Sequence, residues 1–180
     1  MLFRPLSLAL PIALAVANPL AGQSKFTALQ TALMGTTSTF YAIYQDLNDF
    51  AINVDSAHAM AVYNNTATLD RQIIDVGKVV PEHVMSDVDG KWLCDVCARG
   101  TPMVLEIMDK FIARKDGFQC VDLVGDVGSL LRKYFTGGIP VGQKLLHVTP
   151  ASSRMCVADN NNMTRQAISR AVSTFYDHSE

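Results

Sequence analysis

From residue 26 onward, apolar side chains return every three or four positions, the period that gathers them on one face of an α-helix. Phe26, Leu29 and Leu33 begin the pattern. After a polar interval at Gly35-Thr36-Thr37-Ser38, it resumes with Phe40, Ile43, Leu47, Phe50 and Val54, which predicts a long or kinked first helix. Asn64-Asn65-Thr66 then supplies a turn and a cap, and Leu69, Ile73, Val76 and Val80 share a face of a second helix that stops before Pro81. The polar run Ser86-Asp87-Val88-Asp89-Gly90-Lys91 is expected to be a loop. Thr101 caps a third helix, with Pro102 at its first position and Val104, Ile107, Met108 and Phe111 as its buried stripe, ending near Gly117. Val124, Val127, Leu131 and Tyr134 mark a fourth helix, with Arg132 and Lys133 toward its end and Gly137-Gly138 beyond it. A shorter segment follows Pro140 and is interrupted at Thr149-Pro150. Asn160-Asn161-Asn162 reads as a loop and cap, and a last helix turns Ala167, Ile168, Ala171, Val172 and Phe175 inward.

Pro81, Pro102, Pro140 and Pro150 all fall at or near boundaries that the periodicity proposes independently. No alternating strand pattern, tandem repeat or interdomain linker interrupts the helical reading. The predicted fold is all-α: an antiparallel bundle of about five helices, disulfide-bonded, in a single domain spanning residues 18–180.

Residues 1–17 stand apart from that bundle. Arg4, the short apolar run through Val16 and the Ala15-Val16-Ala17 end have the arrangement of a secretory signal peptide, with cleavage expected after Ala17. The expected address is therefore secreted and extracellular. No run reaches the roughly 20 apolar residues of a membrane-spanning helix, so no integral membrane association is expected. The closing Phe175-Tyr176-Asp177-His178-Ser179-Glu180 carries no hydrophobic tail for a lipid anchor. Composition sharpens this picture in one respect. Of 180 residues 49% are hydrophobic and 18% charged, with a formal net charge of −2, which leaves no basic footprint for nucleic acid.

Candidate chemistry is sparse. Four cysteines, Cys94, Cys97, Cys120 and Cys156, in an exported chain read as structural disulfides. If the third and fourth helices form an antiparallel hairpin, about 20 residues of helix at roughly 1.5 Å each put Cys97 and Cys120 about 30 Å apart, far beyond disulfide reach. A segment climbing back after Pro140 would bring Cys156 to Cys120, so Cys120–Cys156 and a local Cys94–Cys97 bridge are expected. Cys94-Asp95-Val96-Cys97 lacks the strand-to-helix context of a thioredoxin-like redox pair, and no second close ligand pair supports zinc. Asp87-Val88-Asp89-Gly90 lacks the terminal glutamate of a calcium loop. His58, His83, His147 and His178 are scattered, and no nucleophile elbow or phosphate-binding glycine loop occurs. No enzyme, metal or cofactor is expected. Asn64-Asn65-Thr66 and Asn162-Met163-Thr164 are glycosylation sequons, with Asn64 and Asn162 as the acceptors. Seven methionines, Met34 to Met163, fill a core or line an adaptable apolar site.

One stretch adds a resemblance. Thr101-Pro102 leads through Ile107-Met108-Asp109-Lys110 into Phe111-Ile112-Ala113-Arg114-Lys115-Asp116-Gly117-Phe118, and Leu130-Leu131, Ile139-Pro140 and the Ala167-Ile168 to Tyr176 ending follow in order. Over residues 37–177 this pattern resembles the fungal hydrophobic surface-binding protein A family, whose relatives include cell-wall galactomannoproteins. The resemblance implies a secreted, non-enzymatic five-helix bundle associated with the cell wall. Its partners would be a hydrophobic surface or a lipid, and in some members a secreted hydrolase. Two alternatives stand beside it. Leu93-Cys94-Asp95-Val96-Cys97 resembles the opening of a saposin-like lipid-interacting protein, and a secreted effector could use the bundle as a scaffold to bind a host protein. For a greasy ligand, helical facing selects Phe40, Tyr44, Met103, Ile107 and Phe111 as the candidate lining.

Overall fold

The computed structural model describes residues 25–176, and the signal-peptide pattern of residues 1–17 lies outside them. Its elements in chain order are α1 (Lys25–Ile52), α2 (Ser56–Val79), α3 (Asp87–Ala113), α4 (Lys115–Cys120), α5 (Val124–Val148) and α6 (Ala151–Tyr176). Five are long, α4 is barely more than one turn, and no strand occurs among the described residues.

Tertiary packing carries these helices through several polar intervals that local propensity marks as breaks. α1 is continuous across Gly35–Ser38 because the hydroxyls fold back: Thr36 Oγ1 donates to the Leu33 carbonyl at 2.7 Å and Ser38 Oγ to that of Gly35 at 3.0 Å. α2 starts earlier than expected. Its cap is Asp55, whose carboxylate accepts the His58 N–H at 2.9 Å, so the Asn64-Asn65-Thr66 turn is corrected to helix interior. The loop expected at 86–91 is instead the start of α3, with Ser86 accepting the Asp89 N–H at 3.1 Å and Asp87 and Asp89 complementing the helix dipole. Thr101 and Pro102 therefore sit mid-helix. Pro102 and Pro140 both lie inside helices on exposed faces, where the carbonyls they leave unpaired one turn back can be solvated. Gly117 falls within α4, Gly137-Gly138 within α5 and Asn160-Asn161-Asn162 within α6, where Asn160 Nδ2 donates to the Cys156 carbonyl at 2.9 Å. Pro81 and Pro150 do mark boundaries.

Cross-helix contacts fix the directions. Phe26 meets Trp92 and Tyr44 meets Glu106, so α1 and α3 run the same way. Asp87 meets Ser152 and Asp109 meets Arg170, so α3 and α6 do too. α2 and α5 run the opposite way, each long helix reversing the one before it. One pole of the bundle gathers Lys25, Trp92, Cys94, Val148 and Cys156, while the other gathers Phe50, Phe111, Phe118 and Phe175.

This topology corrects the disulfide expectation. The bond joins Cys94 to Cys156, with Cα atoms 5.8 Å apart, and Cys97 and Cys120 are free. Because α5 does not stop at Pro140, it carries the chain the whole length of the bundle. Cys156 therefore arrives at the pole opposite Cys120, alongside Cys94 on the parallel α3.

Candidate functional site

The core has two lobes. The larger is built from Ile43, Leu47, Phe50, Leu69, Ile107, Met108, Phe111, Phe118, Leu131, Ile168 and their neighbours. The smaller, at the disulfide pole, holds Leu29, Val76, Leu93, Val141, Val148 and Val157, with Cys94 and Cys97 packed against it. Ile73 of α2 touches both lobes.

Between the lobes, the inward stripes of α1, α2 and α3 turn polar at a similar level. On α1 the buried stripe passes through Thr36 and Thr39, and on α3 through Thr101. On α2 the corresponding turn carries Gln72, whose Oε1 is buried without a hydrogen-bond partner. α5 and α6 contribute Gly142 and Asn161, which face each other nearer the disulfide pole. A Cβ on Gly137 would stand 3.7 Å from Asp70 Oδ1, and one on Gly142 would stand 2.5 Å from Asn161 Oδ1. The result is a polar waist inside an apolar bundle. A buried acceptor without a donor costs on the order of 1–3 kcal/mol, so this waist is built at the expense of stability.

The five residues selected from the sequence come together along the seam between α1 and α3. Ile107 and Phe111 are fully buried in the large lobe, and Phe40, Tyr44 and Met103 are half-buried and packed against it. Spacing of four residues places Phe40 and Tyr44 on one face of α1, and Met103, Ile107 and Phe111 on one face of α3. Above them lies a polar clasp that periodicity alone reads as solvated surface. The Tyr44 hydroxyl donates to Glu106 Oε1 at 2.9 Å and Lys110 Nζ donates to Asn48 Oδ1 at 2.9 Å. Lys110 Nζ also lies 3.6 Å from Glu106 and 4.6 Å from the centroid of the Tyr44 ring. A cation held over an aromatic face and beside a carboxylate is attracted by both. In the sequence the clasp leaves only the one-turn spacing of Glu106 and Lys110, which does not reveal its partners Tyr44 and Asn48 on α1.

Two surface clefts lie away from this seam. One, of about 640 Å³, is lined by Lys25, Lys78, Pro81, Lys144 and His147 at the disulfide pole. The other, of about 560 Å³, runs between α5 and α6 over Phe135 and Ile139, with Arg165 and Arg170 at its rim. Buried groups are chemically quiet. Burial pushes the Cys97 thiol up to about 11. Burial also raises the Tyr134 hydroxyl far above its ordinary value, with the Asp70 carboxylate adding to the shift. Both stay protonated near neutral pH. No group of three His, Cys, Asp or Glu residues that could hold a metal ion occurs among the described residues, and none of their helices is long and apolar enough to cross a membrane. Asn64 and Asn162 are exposed but lie on helices. With Cys97 free, the saposin-like opening is reduced to Cys94 alone.

No family model and no curated protein sequence matches the chain. Solved structures do. The chain is similar to AfMP4p in complex with palmitic acid, with 16% identity and a TM-score of 0.77 over 83% of this chain and 99% of that one. It is also similar to ligand-binding domain 1 of the Penicillium marneffei MP1 protein complexed with arachidonic acids, at 12% identity and a TM-score of 0.72, covering 84% of this chain and 98% of that one. Ligand-binding domain 2 of the same protein, also in complex with arachidonic acids, matches with 13% identity and a TM-score of 0.67 over 87% and 97%. At these identities the likeness shows a shared helical fold, the one that these fatty-acid complexes also adopt.

Proposed function

We propose that this chain is a non-enzymatic binder of a single-chain lipid, a long-chain fatty acid above all, taken up between the helices of the bundle. The observation that carries this reading is the fold it shares with AfMP4p and the MP1 domains across nearly their whole lengths, both solved with fatty acids. The two-lobed apolar core supports it physically. A lobe lined by methionine and aromatic side chains can re-pack around an acyl chain. The α1/α3 seam, with Phe40, Tyr44, Met103, Ile107 and Phe111 beneath it, is where we place the tail. Export through the leader pattern at residues 1–17 belongs to the same proposal, and it would make the protein a carrier of lipid outside the cell or at its wall.

A second reading, adsorption to an apolar surface, is favoured by Val84, Val88 and Met155, which crowd the disulfide pole at 59%, 79% and 78% exposure. Native mass spectrometry separates the two. The delipidated protein, given palmitic or arachidonic acid, is expected to form a discrete complex that survives transfer. Adsorption to hydrophobic beads without any discrete complex would reject the carrier reading and leave the surface reading. Absence of both would remove the two together.

A further inference from the structure

Resting on the lipid-carrier reading, we infer that Lys110 and Tyr44 form the seat for the ligand's carboxylate, and that Glu106 occupies this seat as an internal stand-in until the ligand displaces it. The geometry is that of a carboxylate-binding site already filled. Glu106 Oε1 accepts the Tyr44 hydroxyl at 2.9 Å and faces Lys110 Nζ at 3.6 Å. The two donors are held in place independently of it. Lys110 is anchored by Asn48 Oδ1 at 2.9 Å and lies over the Tyr44 ring, and its side chain is only 20% exposed. The Glu106 side chain is 55% exposed, so it can swing into water at little cost and vacate the position.

The seat also stands at the right place for a tail. Beside it, Phe40 and Met103, one turn before Tyr44 and Ile107, pack against the large lobe, in which Ile107 is buried. From Asn48 along α1 to Thr36 at the polar waist is twelve residues, or about 18 Å of helix axis. An acyl chain entering with its carboxylate on Lys110 therefore runs along apolar side chains until it meets the threonines of the waist, which set its depth. Charge-assisted hydrogen bonds from a half-buried ammonium and a phenol discriminate a carboxylate from an uncharged ester of the same chain. The inferred ligand class is thus an unesterified fatty acid rather than an ester or a phospholipid.

The test compares palmitic acid with methyl palmitate on the full chain by fluorescence displacement, with melting curves to establish that each variant is folded. The unaltered protein is expected to prefer the acid by about tenfold or more. Lys110→Met should erase that preference by weakening the acid alone, and Lys110→Arg should restore most of it. Glu106→Gln, which replaces the stand-in charge at an exposed position, should tighten the acid about threefold and leave the ester unchanged. If both lipids bind and the acid-to-ester ratio of Lys110→Met equals that of the parent, the seat is overturned while the carrier reading survives. An unchanged acid affinity in Glu106→Gln also overturns it. If neither lipid binds the parent, the carrier reading and the seat fail together.

Discussion

Gly90, in the first turn of α3, lies face to face with the ring of Pro150: a Cβ at position 90 would stand 2.3 Å from Cγ and 2.5 Å from Cδ of the proline. A proline ring cannot rotate away, so the close approach of α3 to the α5–α6 junction depends on the missing side chain. Ser153 Oγ, 3.3 Å from the same point, closes the other side. Gly90→Ala is therefore expected to lose about 1–2 kcal/mol, overpacking outweighing the gain in helix propensity. Gly100 gives the control. It lies in the same helix with nothing within 4 Å of its would-be Cβ, so Gly100→Ala should gain about 0.5–1 kcal/mol. Urea midpoints at constant slope would check the opposite signs.

The Cys94–Cys156 bond closes a loop of 62 residues. In the chain-entropy account, a loop of that size is worth about 4 kcal/mol, and measured values fall at or below it. Cys156→Ala is expected to cost about 2–4 kcal/mol. A peptide map of the unreduced protein should show the Cys94 and Cys156 peptides joined. Alkylation of the native protein at pH 8 should modify exposed Cys120 rapidly and Cys97 slowly, because burial raises the Cys97 thiol to about 11. Fast labelling of Cys97 would mean that the small lobe opens easily around the disulfide.

Asp70 provides a pH signature. Burial raises its carboxyl above the ordinary carboxylate range, against the opposing pull of Lys133. A carboxyl that holds its proton more tightly when folded favours the folded state most at low pH. Its contribution is lost as pH rises from the ordinary carboxylate range through the raised folded value. At neutral pH the ionised Asp70 is a net burden. Asp70→Asn should thus melt higher than the parent at pH 7, and the gap should shrink as pH falls below the unfolded carboxyl value. A gap that widens on acidification would contradict the assignment of desolvation as the dominant cause.

Much of this molecule is legible in its sequence, for reasons that can be traced residue by residue. The inward stripe of α6 at Ala167, Ile168, Ala171 and Phe175 follows from spacing alone, and Pro81 and Pro150 end helices because the chain turns there. Pro102 and Pro140 mislead because a proline on an exposed helix face can be tolerated when long helices are held by tertiary contacts on their other faces. The Asn160-Asn161-Asn162 run misleads for a related reason: an asparagine side chain that bonds back to the preceding turn costs the helix little. The disulfide was out of reach because it depends on helix direction, which changes with every break assumed or removed. For the seam, the apolar members were legible by face. Glu106 and Lys110 were not, since charge at one-turn spacing on a single helix carries no sign that a tyrosine and an asparagine from another helix complete the cluster.

Phe118 lies on α4, an element too short for periodicity to reveal, yet it is fully buried at the far pole. Its ring centroid is 4.6 Å from that of Phe50, 6.2 Å from Phe111 and 6.1 Å from Phe175, so one residue ties α4 to α1, α3 and α6. Aromatic pairs at such distances add to the area they bury. The backbone around it is committed to this placement. The Leu123 N–H donates to the Phe118 carbonyl at 2.9 Å, and Asp122 takes a left-handed φ of 58° to turn the chain into α5. Phe118→Ala should leave a cavity ringed by the three aromatic side chains of Phe50, Phe111 and Phe175. The expected loss is about 3–5 kcal/mol, with Phe118→Leu, which keeps most of the volume, losing about 1–2 kcal/mol. If the pole can collapse instead, the alanine variant would lose no more than the leucine one, and denaturant unfolding of the pair distinguishes the two outcomes directly.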